Sequence, residues 1–233
     1  MKENFEFYEP AFPKVMSHRT LQLIRIAVFL PCLAILLISL IKVRKSALVI
    51  FLTQQGNHLT VLTTLLTVHA GRFRNKGRPL LKRVTAILLE VTFVTQIVIT
   101  AIYWPILHHI AMERIKTESD GLFLYYHMIF IHSVPFIAVL VNVTLSKVRF
   151  IPGHSLYIVL YGIFYSCVNY AGTLYRGHPL YPFLNWQDYR SLIVCGILNL
   201  VIFLLFQMVT AALCILKEKK QYTLTERDDV KLE

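Results

Sequence analysis

Six long apolar runs separated by short polar loops dominate the chain, at residues 21–41, 47–68, 84–107, 122–145, 155–174 and 191–215. Each reaches the ~20 residues a helix needs to cross ~30 Å of hydrocarbon at about 1.5 Å per residue. A membrane β-barrel would alternate in polarity over ~10-residue segments, and these runs are too long and too uniformly apolar for that. The pattern predicts an all-α integral membrane bundle of six transmembrane helices over residues 21–215. A short segment, 1–20, precedes it, and a polar tail, 216–233, follows and is expected to be disordered.

Composition agrees with a lipid environment: 56% of the 233 residues are hydrophobic and 16% charged, against about a quarter charged in an average soluble domain. The mean hydropathy is +0.57, which leaves no room for a soluble domain. Cys32, Cys167, Cys195 and Cys214 all fall inside apolar runs without ligand spacing, so neither a disulfide framework nor a metal site is expected, and no cofactor is called for. The first run starts only at residue 21 and is long enough to span, so it reads as an uncleaved insertion signal.

The net charge of +11 first suggests nucleic acid, but the basic residues lie in short loops beside helix ends, which argues against a nucleic-acid partner and for the bilayer. The face holding the N-terminus, the second and fourth loops and the tail carries sixteen Lys and Arg, and the opposite face seven, so both termini are expected in the cytosol. Arg25, in neither count, is expected to snorkel to the cytosolic interface. The loop 71–83 holds six basic residues and reads as a topology determinant or as a seat for anionic lipid. Asn142-Val-Thr144 is formally a glycosylation acceptor, but its cytosolic position argues against modification.

Polar groups inside the runs carry the functional information, because each is costly unless it faces a partner or the bundle interior. Thr53, Asn57, Thr60 and Thr64 recur at i, i+4, i+7 and i+11 and form one stripe, with Gln54 and His58 in a row beside it. For Thr60 and Thr64 the better reading is interhelical adhesion. For Thr53, adhesion and function stand level. The fourth run holds His127 and His132, roughly 140° apart around the helix, with Pro135 freeing a backbone carbonyl nearby. The expected topology puts Thr53 ~10 Å and His132 ~15 Å from the same non-cytosolic face.

A threonine hydroxyl and an imidazole at one depth suggest a nucleophile and its base, able to attack an acyl carbon. No carboxylate lies in that half of any run, since Glu90 falls near the cytosolic end of the third, which leaves Asn57, Asn169 or Asn199 to orient the histidine, or the pair to work as a dyad. Tyr181-Pro-Phe-Leu-Asn-Trp186 follows the fifth run on the same outer side. It reads either as a headgroup-level aromatic belt or as a cap over a lipid cavity.

These elements resemble the family of androgen-induced and androgen-dependent membrane proteins, with plant, fungal and rolling-stone-like relatives. The likeness rests on Phe51-Leu-Thr53, on His132-Ser-Val-Pro-Phe136 and on the stretch from Tyr157 to Trp186, in that order, and covers most of residues 20–215. It implies hydrolysis of fatty acid esters of hydroxy fatty acids by a threonine nucleophile and a histidine, roles that fall on Thr53 and His132. Gln54, Asn57, His58, His127, Asn169, Tyr181 and Trp186 are then candidates for binding or orienting the lipid ester. Gln54 and Gln55 depart from the animal pattern, which has more apolar or aromatic neighbours there, and His132 stands closer to Pro135-Phe136 than in the animal enzymes. Those departures bear on the substrate more than on the chemistry. Two other classes compete: a non-catalytic membrane scaffold or lipid-binding regulator, and a haem-binding electron carrier, for which the sequence offers no matched histidine pairs at constant depth. The endoplasmic reticulum membrane is the expected location.

Overall fold

The computed structural model describes residues 6–72, 78–116 and 119–229, with the backbone alone for Arg114 and residues 217–229. The middle of the basic loop, 73–77, residues 117 and 118, the first five residues and the last four lie outside the described residues. The chain is helical, and the described residues contain no strand, only two isolated bridges.

Helix α1, His18–Lys42, starts at Ser17, whose hydroxyl accepts from the Thr20 N–H and so satisfies one of the orphan donors of a first turn. The second apolar run is two helices, where the sequence predicted one: α2, Lys45–Ile50, and α3, Leu52–Arg72, separated by Phe51 in an extended conformation. Helix α4, Pro79–Ile102, has Pro79 in its first turn and passes through a π-helical turn, Tyr103–Leu107, into α5, His108–Ile115. Pro105 sits inside that turn and has no N–H to donate to the preceding turn, which accounts for the widened coil. Helix α6, Gly121–Leu145, follows, then a 3-10 turn, Pro152–His154, and α7, Ser155–Arg176, closed by Gly177 at φ +69°. Helix α8 runs from Arg190 to Asp229, so the polar tail expected to be disordered continues the last helix through most of its length.

Four helical stretches among the described residues are long and apolar enough to cross a membrane: His18–Lys42, Pro79–Glu113, Gly121–Leu145 and Arg190–Leu216. Helices α3 and α7, of 21 and 22 residues, have the length, roughly 31–33 Å, but carry too many polar side chains to qualify. For α3 the reason is its position. It packs against α1, α4 and α6, and eleven of its 21 residues are buried. Helix α8 has the opposite character, with Ile193, Ile197, Leu200, Val201, Leu204 and Met208 all exposed, as befits a helix bathed in an apolar solvent.

The main core lies where α4, α6, α7 and α8 meet, around Leu89, Val94, Val139, Ile158 and Phe206. Phe7 joins it. The segment before α1 is held there by Ala11 N–H to the Leu145 carbonyl at 2.8 Å and Lys147 N–H to the Glu9 carbonyl at 2.9 Å. Threonines link the central helices, each link worth ~0.6–2 kcal/mol between membrane helices. Gln96 on α4 donates to Thr60 Oγ1 at 2.9 Å, Thr63 meets Thr92 at 2.8 Å, and Thr67 reaches Asn142 Oδ1 at 3.5 Å. Thr64, expected to bond across helices as Thr60 does, donates instead to the Thr60 carbonyl one turn back on its own helix, so the interhelical contacts of α3 fall to Thr60, Thr63 and Thr67.

Arg25 does not snorkel. It is fully buried, its Nε donates to Asn142 Oδ1 at 3.1 Å and its Nη2 to the Phe7 carbonyl, because the folded-back N-terminal segment supplies acceptors where water was expected. Asn142 is likewise an interior side chain, with Nδ2 donating to the Ala138 carbonyl at 2.9 Å. Glu90 pairs with His154 at 2.9 Å where the 3-10 turn meets α4.

Candidate active site

The break at Phe51 (φ −88°, ψ 130°) places Thr53 in the first turn of α3, where backbone N–H groups have no acceptor within their own helix. Three side chains hold the break. Leu52 N–H donates to the phenolic oxygens of Tyr165 at 3.1 Å and Tyr181 at 3.3 Å, and Gln55 Nε2 reaches back to the Val49 carbonyl at 2.5 Å. The Arg176 guanidinium lies 5.4 Å above the Phe51 ring. Thr53 is thus fixed by a joint in the backbone that the continuous apolar pattern did not reveal.

Thr53 Oγ1 is 3.1 Å from His132 Nε2. The other ring nitrogen, Nδ1, lies 2.7 Å from the Met128 carbonyl one turn back on α6. A carbonyl only accepts, so Nδ1 carries the hydrogen, Nε2 of the neutral ring presents a lone pair, and the Thr53 hydroxyl donates to it. That arrangement readies a hydroxyl for attack. The ring is also wedged in place: Tyr103 stacks on it with centroids 3.4 Å apart and planes 7° from parallel, and the Tyr103 hydroxyl meets His108 Nδ1 at 3.1 Å. The orienting role expected of Asn57, Asn169 or Asn199 therefore belongs to a backbone carbonyl and an aromatic face.

Two cavities meet at Thr53. The larger, about 730 Å³, is bordered by Thr53, Gln54, His127, His132, Tyr103 and Tyr181, and is largely apolar. Its size is that of a pocket for a lipid-sized or drug-sized ligand. The smaller, about 90 Å³, shares Thr53, Tyr103 and Tyr181 with it and extends between α4, α7 and α8 to Thr95, Asn169 and Asn199.

The remaining sequence candidates divide between wall and support. Gln54 is buried at the wall of the large cavity, and its Oε1 has no hydrogen-bond partner among the described residues. His127 borders the same cavity, although 140° from His132 around α6, because the cavity wraps that side of the helix; its Nε2 is 3.3 Å from Ser39 Oγ on α1. Asn57 is fully buried one turn below Thr53, with neither amide atom hydrogen-bonded among the described residues, and borders neither cavity. His58 is half-buried, borders neither cavity and makes no hydrogen bond among the described residues, so the row it was expected to share with Gln54 ends at Gln54.

Asn169 accepts from the Trp186 indole N–H at 2.7 Å, and Trp186 N–H donates to Ser191 Oγ at 2.8 Å. These bonds hold Trp186 at φ +58°, a left-handed conformation costing a non-glycine residue roughly 1–2 kcal/mol. Trp186 is therefore a fastener of the loop. His178, Pro179, Leu180, Tyr181 and Pro182 of that loop form one wall of the large cavity. Burial raises the Tyr181 phenol above its ordinary value and keeps it protonated, outweighing the hydrogen bonds from Tyr165 and the Leu52 N–H, which pull the other way.

Tyr103, Tyr165 and Ser39 escaped the sequence reading. For Tyr103 the signal that could have found it is Pro105 two residues on, inside the π turn that begins at Tyr103 and leaves its side chain buried. No protein-family model, no curated protein and no solved structure matches the chain.

Proposed function

We propose that the protein is a membrane-embedded lipid-ester hydrolase in which Thr53 is the nucleophile and His132 its general base. The observation that carries this reading is the 3.1 Å contact from Thr53 Oγ1 to a His132 ring with only its Nε2 lone pair available, opening on a cavity of about 730 Å³. As Thr53 Oγ1 bonds to the ester carbonyl carbon, its proton passes to His132 Nε2. The imidazolium then protonates the departing alkoxide, leaving an acyl-threonine. Water attacks that acyl group, gives its proton to Nε2, and the carboxylic acid leaves as the proton returns to Thr53.

An ester entering sideways from the bilayer suits an apolar cavity in a chain whose outer faces are apolar. The likeness of the three motifs to the androgen-induced and androgen-dependent membrane proteins supports membership of that family and favours fatty acid esters of hydroxy fatty acids as substrate. The bundle crosses six times in this reading. Helix α3 escapes the apolar criterion because α1, α4 and α6 shield it from lipid, and the sixteen-to-seven bias of basic residues supports cytosolic termini. A multi-span lipid enzyme with no other address fits the endoplasmic reticulum membrane.

The test is hydrolysis of a branched fatty acid ester of a hydroxy fatty acid by purified protein, the parent beside Thr53→Val and His132→Ala. Parent activity lost in both variants supports the proposal. Equal rates in all three overturn it and leave the cavity as a binding site, the property of a lipid-binding regulator.

A further inference from the structure

We propose that Tyr181 is the oxyanion donor of this site: its phenolic hydrogen bonds the carbonyl oxygen of the ester and holds the negative charge that forms there when Thr53 attacks. The inference rests on the Thr53–His132 reading and adds to it the group that such chemistry requires on the other side of the reacting carbon, where a pre-placed donor is often the largest single contribution to the rate.

Tyr181 Oη accepts from Leu52 N–H at 3.3 Å and lies 3.1 Å from Tyr165 Oη. Tyr165 has one hydrogen and two acceptors in reach, Tyr181 Oη at 3.1 Å and the Ile50 carbonyl at 3.3 Å. Tyr181 has one hydrogen too, and among the described residues the single acceptor in its reach is Tyr165 Oη. When Tyr165 donates to Tyr181, the Tyr181 hydrogen has no protein acceptor and is available to the cavity. A forming oxyanion selects that order, because a hydrogen bond to a charged oxygen is about twice as strong as one between neutral groups. The chain Leu52 N–H and Tyr165 O–H to Tyr181 Oη, and Tyr181 O–H to the oxyanion, then runs in one direction, each bond polarising the next.

Placement agrees. Leu52 is the residue before Thr53, so Tyr181 Oη is tied one peptide unit from the nucleophile, and Tyr181 and Thr53 both border both cavities. His132 borders the large cavity alone. The phenol is clamped by Phe51, edge-on at 6.3 Å, by Phe183, stacked at 5.5 Å, and by the turn in which Leu184 N–H donates to the Tyr181 carbonyl at 3.1 Å. A donor fixed before the reaction costs nothing to reorganise during it. Thr53 N–H and Gln54 N–H, in the same first turn, have no acceptor among the described residues and add their partial charges at that end of α3.

Tyr181→Phe tests this cleanly, since it orphans nothing: Leu52 N–H keeps Tyr165 Oη, and the Tyr165 hydroxyl keeps the Ile50 carbonyl. With the branched ester as substrate, kcat should fall roughly 10²- to 10³-fold while KM moves by no more than about threefold. Labelling of Thr53 by a fluorophosphonate, in which Oγ1 bonds to phosphorus and fluoride leaves, should slow by a similar factor. Fluorotyrosines at position 181 keep the shape and make the hydroxyl a stronger donor, so kcat should rise with its acidity. They also serve if Tyr181→Phe fails to fold. An unchanged kcat in folded Tyr181→Phe, or a flat response across the fluorotyrosines, overturns the proposal. Thr53→Val run alongside separates the two readings: if it is inactive while Tyr181→Phe is not, the nucleophile stands and the donor falls, and if it is fully active both fall.

Discussion

Thr53→Val exchanges the hydroxyl for a methyl group of nearly the same volume, so its consequences can be divided between fold and chemistry. Thr53 is half-buried at the head of α3, and the contact its hydroxyl makes is the 3.1 Å bond to His132. Losing one neutral hydrogen bond costs about 1 kcal/mol, and His132 Nε2 is left facing a cavity able to offer it another partner. For a chain of this size that lowers Tm by about 2–4 °C. Losing a nucleophile is a different order of effect. In serine hydrolases it costs up to ~10⁶ in kcat, and even ~10⁴ corresponds to ~5.5 kcal/mol of activation free energy. The kinetic effect is therefore about five times the folding effect or more, and protein that elutes as one species and melts within a few degrees of the parent should be inactive. The assay is ester hydrolysis per mole of folded protein, with peptide mapping of the fluorophosphonate adduct to residue 53 in the parent. The double variant with His132→Ala should be no slower than either single one, because the pair acts as a unit. Turnover by folded Thr53→Val at more than about a tenth of the parent rate, or an adduct elsewhere, refutes the assignment.

Tyr103→Leu removes the ring stacked on His132 at 3.4 Å, and the freed imidazole should lower kcat about 10- to 100-fold, with Tyr103→Phe restoring most of it because the stacking face returns. Asn142→Leu strands the buried Arg25 Nε, a hydrogen bond to a charged group worth ~1.5–3 kcal/mol, so the melting temperature in detergent should fall by several degrees while kcat per folded molecule holds. A C-terminal tag should be digested by protease added outside intact microsomes, as cytosolic termini require; full protection would reverse the orientation drawn from the sixteen-to-seven count.

The helices were legible because crossing lipid forces long apolar runs, and four of the six runs each lie within a single α-helix. The Thr53–His132 pair was legible for a related reason: few polar residues survive in such runs, so a threonine and a histidine at similar depth stand out. What the pattern hid was set by backbone and by long-range packing. Val49-Ile50-Phe51-Leu52 reads as uninterrupted helix, yet the chain bends at Phe51, because Tyr165 and Tyr181, more than a hundred residues away, supply the partners that a new helix start needs. The group that orients His132 is the Met128 carbonyl, and every residue has a carbonyl, so no side-chain pattern marks it. Arg25 was misplaced for the same cause: its acceptors come from Phe7 and Asn142, and proximity to a helix end suggested water instead.

Helix α3 shows why the site is where it is. A helix facing lipid could not carry Thr53, Gln54, Asn57, Thr60, Thr63, Thr64 and Thr67, and α3 carries them because its neighbours stand between it and the bilayer. The polar groups are not served equally along its length. In the half beyond Thr60, Thr63, Thr64 and Thr67 all find partners on α3, α4 or α6. Toward Thr53, Gln54 Oε1, both amide atoms of Asn57, Thr95 Oγ1 and Gln96 Oε1 are buried with no hydrogen-bond partner among the described residues, and Asn169 Nδ2 and Asn199 Oδ1 join them across the small cavity. Each such atom costs roughly 1–3 kcal/mol, a cost that apolar residues at the same positions would avoid. A bundle built for stability alone would spread that penalty or remove it. Part of it does lie elsewhere, at Gln22, Arg25 Nη1 and His154 Nε2, but Gln54, Thr95, Asn169 and Asn199 border the two cavities that meet at Thr53, where interior polarity has a ligand to serve.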